Sequence, residues 1–128
     1  MTYRILVGED DEPTRRLVST VLTRQGYTVD IAENGATAIA RIEAATYDAI
    51  VLDLMMPVMN GLQVLEWLTR ERPGTTKNTV IVLTAASPRD LSRFDQDNVF
   101  AVLRKPFDLG ELLLTIEGCV ARSSRVYP

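Results

Sequence analysis

A chain of 128 residues with 46% hydrophobic and 24% charged side chains amounts to one globular domain, and that balance excludes a disordered or collagen-like polymer. A formal net charge of −3 and a sequence pI near 4.9 give no positive footprint for a phosphate backbone, so no direct nucleic-acid binding is expected. The sequence has no histidine, which excludes imidazole-based triads and leaves any phosphohistidine chemistry to a partner.

The first apolar run, Ile5 to Gly8, reads as a strand, and Arg4 and Glu9 bracket it too closely for a signal-peptide core. Glu9, Asp10 and Asp11 follow, then Pro13, which suits a first helical turn. Leu17, Val18, Val21 and Leu22 form the apolar face of that helix, and Gly26 suits its left-handed end. Arg15 and Arg16 on the same helix are expected on a solvated face. The spacing next predicts a strand over Thr28 to Ala32, a cap at Asn34 and a helix carrying Ala38, Ile39 and Ile42. A third strand covers Ala49 to Asp53. Asn60 then caps a helix with Leu62, Leu65 and Leu68, on which Trp67 is expected to pack without a separate function.

The fourth strand is expected over Thr79 to Thr84, with a cap at Ser87 opening the next helix, and the fifth over Val99 to Leu103. Asp108 and Glu111 resemble a capping box for a final helix ending near Arg122. On it the lone Cys119 reads as a small helix-face residue that can make neither an internal disulfide nor a zinc site. Ala49 to Leu52 and Val80 to Leu83 are apolar at every position, as central parallel strands covered on both faces should be. The result is an α/β, doubly wound, five-stranded parallel sheet with five helices on two faces. Residues 1–122 are expected to form the one domain and 123–128 a short tail, too small for an effector domain. Nowhere do 18 uncharged apolar residues follow one another, so a soluble, cytoplasmic protein without membrane contact is expected.

The chemistry-bearing residues fall at one edge of this sheet. Glu9 and Asp10 follow strand one, Asp53 ends strand three, Thr84 ends strand four and Lys105 follows strand five. Ligands of open α/β sheets bind outside the carboxyl edge. Three carboxylates meeting there repel one another, and a hard divalent cation such as magnesium relieves that repulsion. Asp53 can then act as a nucleophile toward a phosphoryl group, with Lys105 neutralising its oxygens and Thr84 donating a hydroxyl. Taken singly these residues have ordinary surface or strand-end roles, but a chance meeting of four strand ends is the poorer explanation.

The segments Ile-Leu-Val-Gly-Glu-Asp-Asp, Leu-Asp-Leu-Met-Met-Pro-Val-Met-Asn-Gly and Leu-Arg-Lys-Pro-Phe make the chain resemble the response-regulator receiver family over nearly its whole length. The resemblance implies a flavodoxin-like sheet in the order 2-1-3-4-5. It implies Asp53 as phosphoacceptor, Glu9 and Asp10 as the metal-binding acidic pair, and Met55 as the residue lending a backbone carbonyl to Mg2+. It matches Pro57 and Gly61 to the proline and glycine of the loop after the acceptor, Thr84 to the switch hydroxyl, and Lys105 to the phosphate-contacting lysine. A cis bond is implied before Pro106. The implied phosphoryl donor is a histidine kinase or histidine phosphotransfer protein, and the chain would be no enzyme beyond its own phosphorylation and dephosphorylation.

Two departures stand out. Val102 occupies the usual aromatic switch position, with Phe100 two residues out of register. The fifth-strand region also lacks the acidic pair of regulators that dimerise there, so a monomer is expected. Met55 and Ala86, at the two positions best placed to orient an attacking water, predict a long-lived phosphoprotein. A receiver-like module independent of phosphorylation is one rival, but it would have a damaged acceptor, acidic pair or lysine. An aspartate-nucleophile hydrolase would want a second aspartate where Met55 stands. A flavin-binding loop would not carry Glu-Asp-Asp-Glu.

Overall fold

The computed structural model describes residues 2–85 and 92–122; the Ala86 position, the Ser87 cap with the start of its helix, and the 123–128 tail lie outside the described residues. Five parallel strands, β1 (Arg4–Gly8), β2 (Thr28–Ala32), β3 (Ala49–Asp53), β4 (Val80–Thr84) and β5 (Ala101–Arg104), form one sheet in the order β2-β1-β3-β4-β5. The described residues include five helices: α1 (Glu12–Arg24), α2 (Gly35–Ala44), α3 (Gly61–Glu71), the short α4 (Thr75–Thr79) and α5 (Leu109–Ala121). The doubly wound order expected from the resemblance is the order found.

Strand alternation splits the core into two layers. Leu6, Ile50, Leu52, Val80 and Val82 face one side, where Ala38 and Ile42 of α2 and Val64, Leu65 and Leu68 of α3 cover them. Ile5, Val7, Val51, Ile81 and Leu83 face the other, beneath Val18 and Leu22 of α1 and Leu112, Ile116 and Cys119 of α5. β3 and β4 are buried at every position, which explains why their sequences are apolar without alternation. The edge strands β2 and β5 keep exposed positions.

Local chemistry sets the helix boundaries. Asp11 caps α1 by accepting from the Thr14 amide, with Pro13 in the first turn, and Asn34 caps α2 through Thr37. Asn60 and Gln63 close a reciprocal capping box on α3. Asp108 caps α5 through the Gly110 amide, at the second helical position; its short side chain is spent there, and the box expected with Glu111 does not form.

Four further expectations need correction. The fourth strand begins at Val80, because Thr79 completes α4, a single turn that the sequence pattern did not announce. The fifth begins at Ala101, after a 3-10 turn over Gln96–Asn98. Leu17 fits the apolar period of α1, yet it is half exposed. Arg15, expected on a solvated face, instead reaches back with its guanidinium to the Glu9 and Asp10 carbonyl oxygens at 3.1 and 3.2 Å.

The amino edge of the sheet is tied by polar side chains. Tyr47 Oη donates to Asp30 Oδ2 at 2.6 Å, Arg4 Nε donates to the same oxygen at 3.2 Å, and the Arg4 amide donates to Asp48 Oδ2 at 2.8 Å. No helix among the described residues is long and apolar enough to cross a membrane.

Candidate functional site

Parallel strands of similar length end at one level, so residues scattered over the sequence converge at the carboxyl edge. Glu9 follows β1, its amide donating to Ala32 O at 3.0 Å. Asp53 ends β3, and both carboxylates are almost fully buried. Lys105 Nζ donates to Glu9 Oε1 at 2.6 Å and to Asp53 Oδ2 at 3.0 Å. One ammonium therefore bridges two carboxylates that lie 44 residues apart in sequence. Asp10 is exposed, but a carboxylate oxygen from each of Glu9, Asp10 and Asp53 lies within 4.8 Å of the others.

The second oxygen of each buried carboxylate accepts from backbone. The Asp11 amide donates to Glu9 Oε2 at 3.1 Å, and the Met55 amide donates to Asp53 Oδ1 at 3.0 Å. Thr84 is fully buried at the end of β4, and its carbonyl accepts from the Lys105 amide at 2.8 Å. The two arms expected to read the phosphoryl group are thus joined through the main chain. The Lys105–Pro106 peptide is cis.

Burial pushes the Glu9 carboxyl up to about 7, and the neighbouring Asp53 carboxylate adds to the rise against the lowering effect of Lys105. For Lys105, burial works to lower the pKa, but its bonds to Glu9 and Asp53 outweigh burial and hold the ammonium above its ordinary value. The site is thus rich in negative charge that Lys105 only partly neutralises. Its donor set is all oxygen, and converging carboxylates suit a hard divalent cation. The Glu9, Asp10 and Asp53 side chains could hold such a cation, Mg2+ among them.

The loop after Asp53 is held by close backbone approach at two glycines. A Cβ on Gly61 would stand 2.3 Å from Asp53 O, and one on Gly35 would stand 2.1 Å from Met59 O. Both glycines donate in the same places, Gly61 N to Leu54 O at 3.0 Å and Gly35 N to Met59 O at 2.8 Å. Between them Val58 has φ of 67°, and the Met59 amide donates to Pro57 O at 2.7 Å. That three-residue ring is the strained form of the γ-turn. Met55 and Val58 are 62% and 85% exposed, so the rim of an acidic site is apolar.

The structure does not bring an aromatic side chain of β5 to Thr84. Val102 packs on the α2–α3 side of the sheet, while Phe100 packs on the opposite side, with the Arg122 guanidinium 5.6 Å from its ring centroid. Phe100 therefore does not stand in for an aromatic at position 102. Trp67 packs partly buried against the α3 layer beneath the Arg72 guanidinium. Sequence reading missed the contribution of Arg15 and of Gly35. Arg15 is recognisable from its place one turn into a helix that begins directly after the acidic loop, but Gly35 is recognisable only from the three-dimensional approach of Met59.

The family model described as "Response regulator receiver domain" matches residues 5–117. The transcriptional regulatory protein ResD of Bacillus subtilis is 36% identical over 124 residues, covering 95% of this chain and 50% of the relative. The chain thus spans about half the length of the curated relatives it matches. A receiver domain protein from Methanospirillum hungatei superposes with a TM-score of 0.86 at 26% identity, over 99% of this chain and all of the other. Response regulator TrrA of Thermotoga maritima, solved in complex with Mg2+ and BeF, gives 0.78 at 31% identity, over 93% of this chain and 99% of the other.

Proposed function

Because the chain belongs to the response regulator receiver domain family, we propose that it accepts a phosphoryl group on Asp53 from a phosphohistidine of a histidine kinase or phosphotransfer protein, and that this switches a downstream partner. The observation that carries this reading is the pair of hydrogen bonds that the Lys105 ammonium donates to Glu9 and Asp53, with Asp10 completing the carboxylate group. An aspartate buried for structural reasons needs one counter-charge; here a second buried carboxylate and a third exposed one share the same few ångströms.

In the proposed transfer, an Asp53 carboxylate oxygen attacks phosphorus while the bond from phosphorus to the donor's imidazole nitrogen breaks. The electron pair leaves with that nitrogen. Mg2+, when bound, supplies charge neutralisation on the transferred oxygens. The chain's own residues do the positioning. The Met55 amide fixes the Asp53 rotamer through Oδ1, and Gly61 lets the loop lie against the acceptor's own carbonyl. Lys105 already touches the acceptor and would turn from carboxylate to phosphoryl oxygen as charge builds there. Thr84, tied to Lys105 through its carbonyl, would donate its hydroxyl to the product and bias the segment that follows β4.

The test is intact-mass spectrometry after incubation with acetyl phosphate and Mg2+. Wild type should gain one phosphoryl group, sensitive to hydroxylamine, and EDTA should stop the gain. Asp53→Asn should fold and gain none. Labelling of that variant, or labelling unchanged in EDTA, contradicts the proposal.

A further inference from the structure

The acidic run Glu9-Asp10-Asp11-Glu12 stands at the junction of β1 and α1, and Arg15 follows within the first turn of the helix. An arginine beside four acids ordinarily takes a carboxylate, as Arg16 does with Glu12 one helical turn away. Among the described residues Arg15 enters no ion pair. One guanidinium nitrogen, Nη1, donates instead to two successive main-chain carbonyls, Glu9 O at 3.1 Å and Asp10 O at 3.2 Å. Those carbonyls belong to the two peptide units on either side of the Asp10 Cα. The second unit is also gripped from its other side, where the Asp11 amide donates to Glu9 Oε2 at 3.1 Å. Peptide units are planar, so holding both planes holds the dihedrals between them and, with those, the direction of the Asp10 Cβ. Among the described residues, no hydrogen bond or ion pair holds the exposed Asp10 carboxylate itself.

We propose that Arg15 is a positioning residue for the divalent cation: by holding carbonyls rather than a carboxylate, it aims Asp10 at the space shared with Glu9 and Asp53 and leaves the Asp10 oxygens open. This rests on the reading that those three carboxylates take the cation. Glu9 and Asp53 need no such help, being buried and bonded to Lys105 and to backbone. Asp10 is the ligand whose placement is set through main chain alone. Mg2+ demands near-ideal octahedral geometry at short distance, whereas Ca2+ accepts irregular and more loosely spaced oxygens. Precise aim at Asp10 therefore favours the smaller ion. Charge and aim act with opposite signs here. A guanidinium close to the carboxylates repels any cation, so its positive charge alone weakens binding, while its hold on the loop strengthens it.

The test is a titration of the whole chain with magnesium chloride and, separately, calcium chloride, followed by backbone amide spectra. Arg15→Met keeps the apolar stem and removes the guanidinium; the amides of Val18 and Leu22, buried on the same helix, should stay in place. Mg2+ should bind this variant about tenfold more weakly, the usual loss when a residue supporting a metal ligand is removed, and Ca2+ should lose distinctly less. Arg15→Gln, neutral and too short to span both carbonyls, should behave in the same way. In an Asp10→Asn background the removal of Arg15 should no longer weaken Mg2+ binding, because the residue it acts through is gone. A role through charge alone gives the reverse, tighter binding of both ions. Unchanged or tighter Mg2+ binding by Arg15→Met, an equal loss for Mg2+ and Ca2+, or the full loss persisting with Asp10→Asn each overturns the proposal. Wild type without a saturable Mg2+ shift at Glu9, Asp10 and Asp53 overturns the cation reading itself, and this inference with it.

Discussion

Val58 holds a β-branched side chain in the left-handed region, where hard contacts make the backbone unfavourable by roughly 1–2 kcal/mol. At 85% exposure its side chain gains almost nothing from packing in return. Glycine removes the clash but adds unfolded-state entropy of roughly 0.5–1 kcal/mol. The balance favours Val58→Gly by up to about 1 kcal/mol, read as a higher urea midpoint; a lower midpoint would show that the turn is not strained. Gly61 behaves oppositely. A methyl there would meet the Asp53 carbonyl at 2.3 Å, and backbone cannot step aside as a flexible side chain can. Gly61→Ala should cost about 1–3 kcal/mol in stability and slow acetyl-phosphate labelling as well, because the atom displaced belongs to the acceptor. Gly26, also at positive φ but with open space around it, is the control: Gly26→Ala should lower stability without changing the labelling rate.

At the scale of elements, most helices were legible because each carried two agreeing signals, an apolar period and a boundary residue, and most strands because of their apolar runs. Asn34 and Asn60 stand where the sequence places them, and Gly26 ends α1 as expected. The failures occur where a signal was single or absent. Leu17 fits the period of α1 but faces solvent near Phe107, because α1 packs with a narrower stripe through Val18 and Leu22. α4 has no apolar stripe at all. The clasp of Arg4, Asp30 and Tyr47 was invisible for another reason: its partners come from β1, β2 and the connection that leads into β3, and only sheet order makes them neighbours. It makes a pH prediction with a definite sign. The Tyr47 hydroxyl, followed by Arg4, holds the Asp30 carboxyl below the ordinary value of 3.8, against a smaller effect of burial. A depressed folded-state pKa gives stability that is present above the unfolded value and lost as pH falls through the folded one. Tyr47→Phe should therefore lower the urea midpoint clearly near neutral pH, and the gap to wild type should narrow as the pH falls below the ordinary carboxylate range. An equal gap at both would assign the loss to packing of the ring alone.

For the whole molecule, the candidate site was more legible than its energetics. Doubly wound topology brings strand ends together, so Glu9, Asp10, Asp53, Thr84 and Lys105 could be gathered from sequence order and the known behaviour of open sheets. What order does not show is that Lys105 already acts as an internal cation, bridging Glu9 and Asp53. Those two carboxylates stand at the carboxyl ends of the interior strands β1 and β3, so the bridge ties the end of the last strand to the middle of the sheet. Removing one partner of a buried ion pair costs roughly 3–5 kcal/mol. With the Lys105 side chain 24% exposed, solvent screening reduces this to on the order of 2 kcal/mol. Lys105→Met should therefore melt below wild type in EDTA. A divalent cation at the same carboxylates supplies the missing charge, and binding to the folded state alone stabilises it in proportion to the logarithm of occupancy. In wild type the cation must share those oxygens with the ammonium; in the variant it meets them unshared. Millimolar Mg2+ should thus raise the melting temperature of Lys105→Met by more than that of wild type, closing most of the gap between them. Ca2+ should act in the same direction and potassium at equal ionic strength should not, because general screening cannot replace a charge seated between two buried carboxylates. If Mg2+ raises both proteins equally, the lysine and the cation do not share ligands, and the carboxylate group has been assigned the wrong occupant.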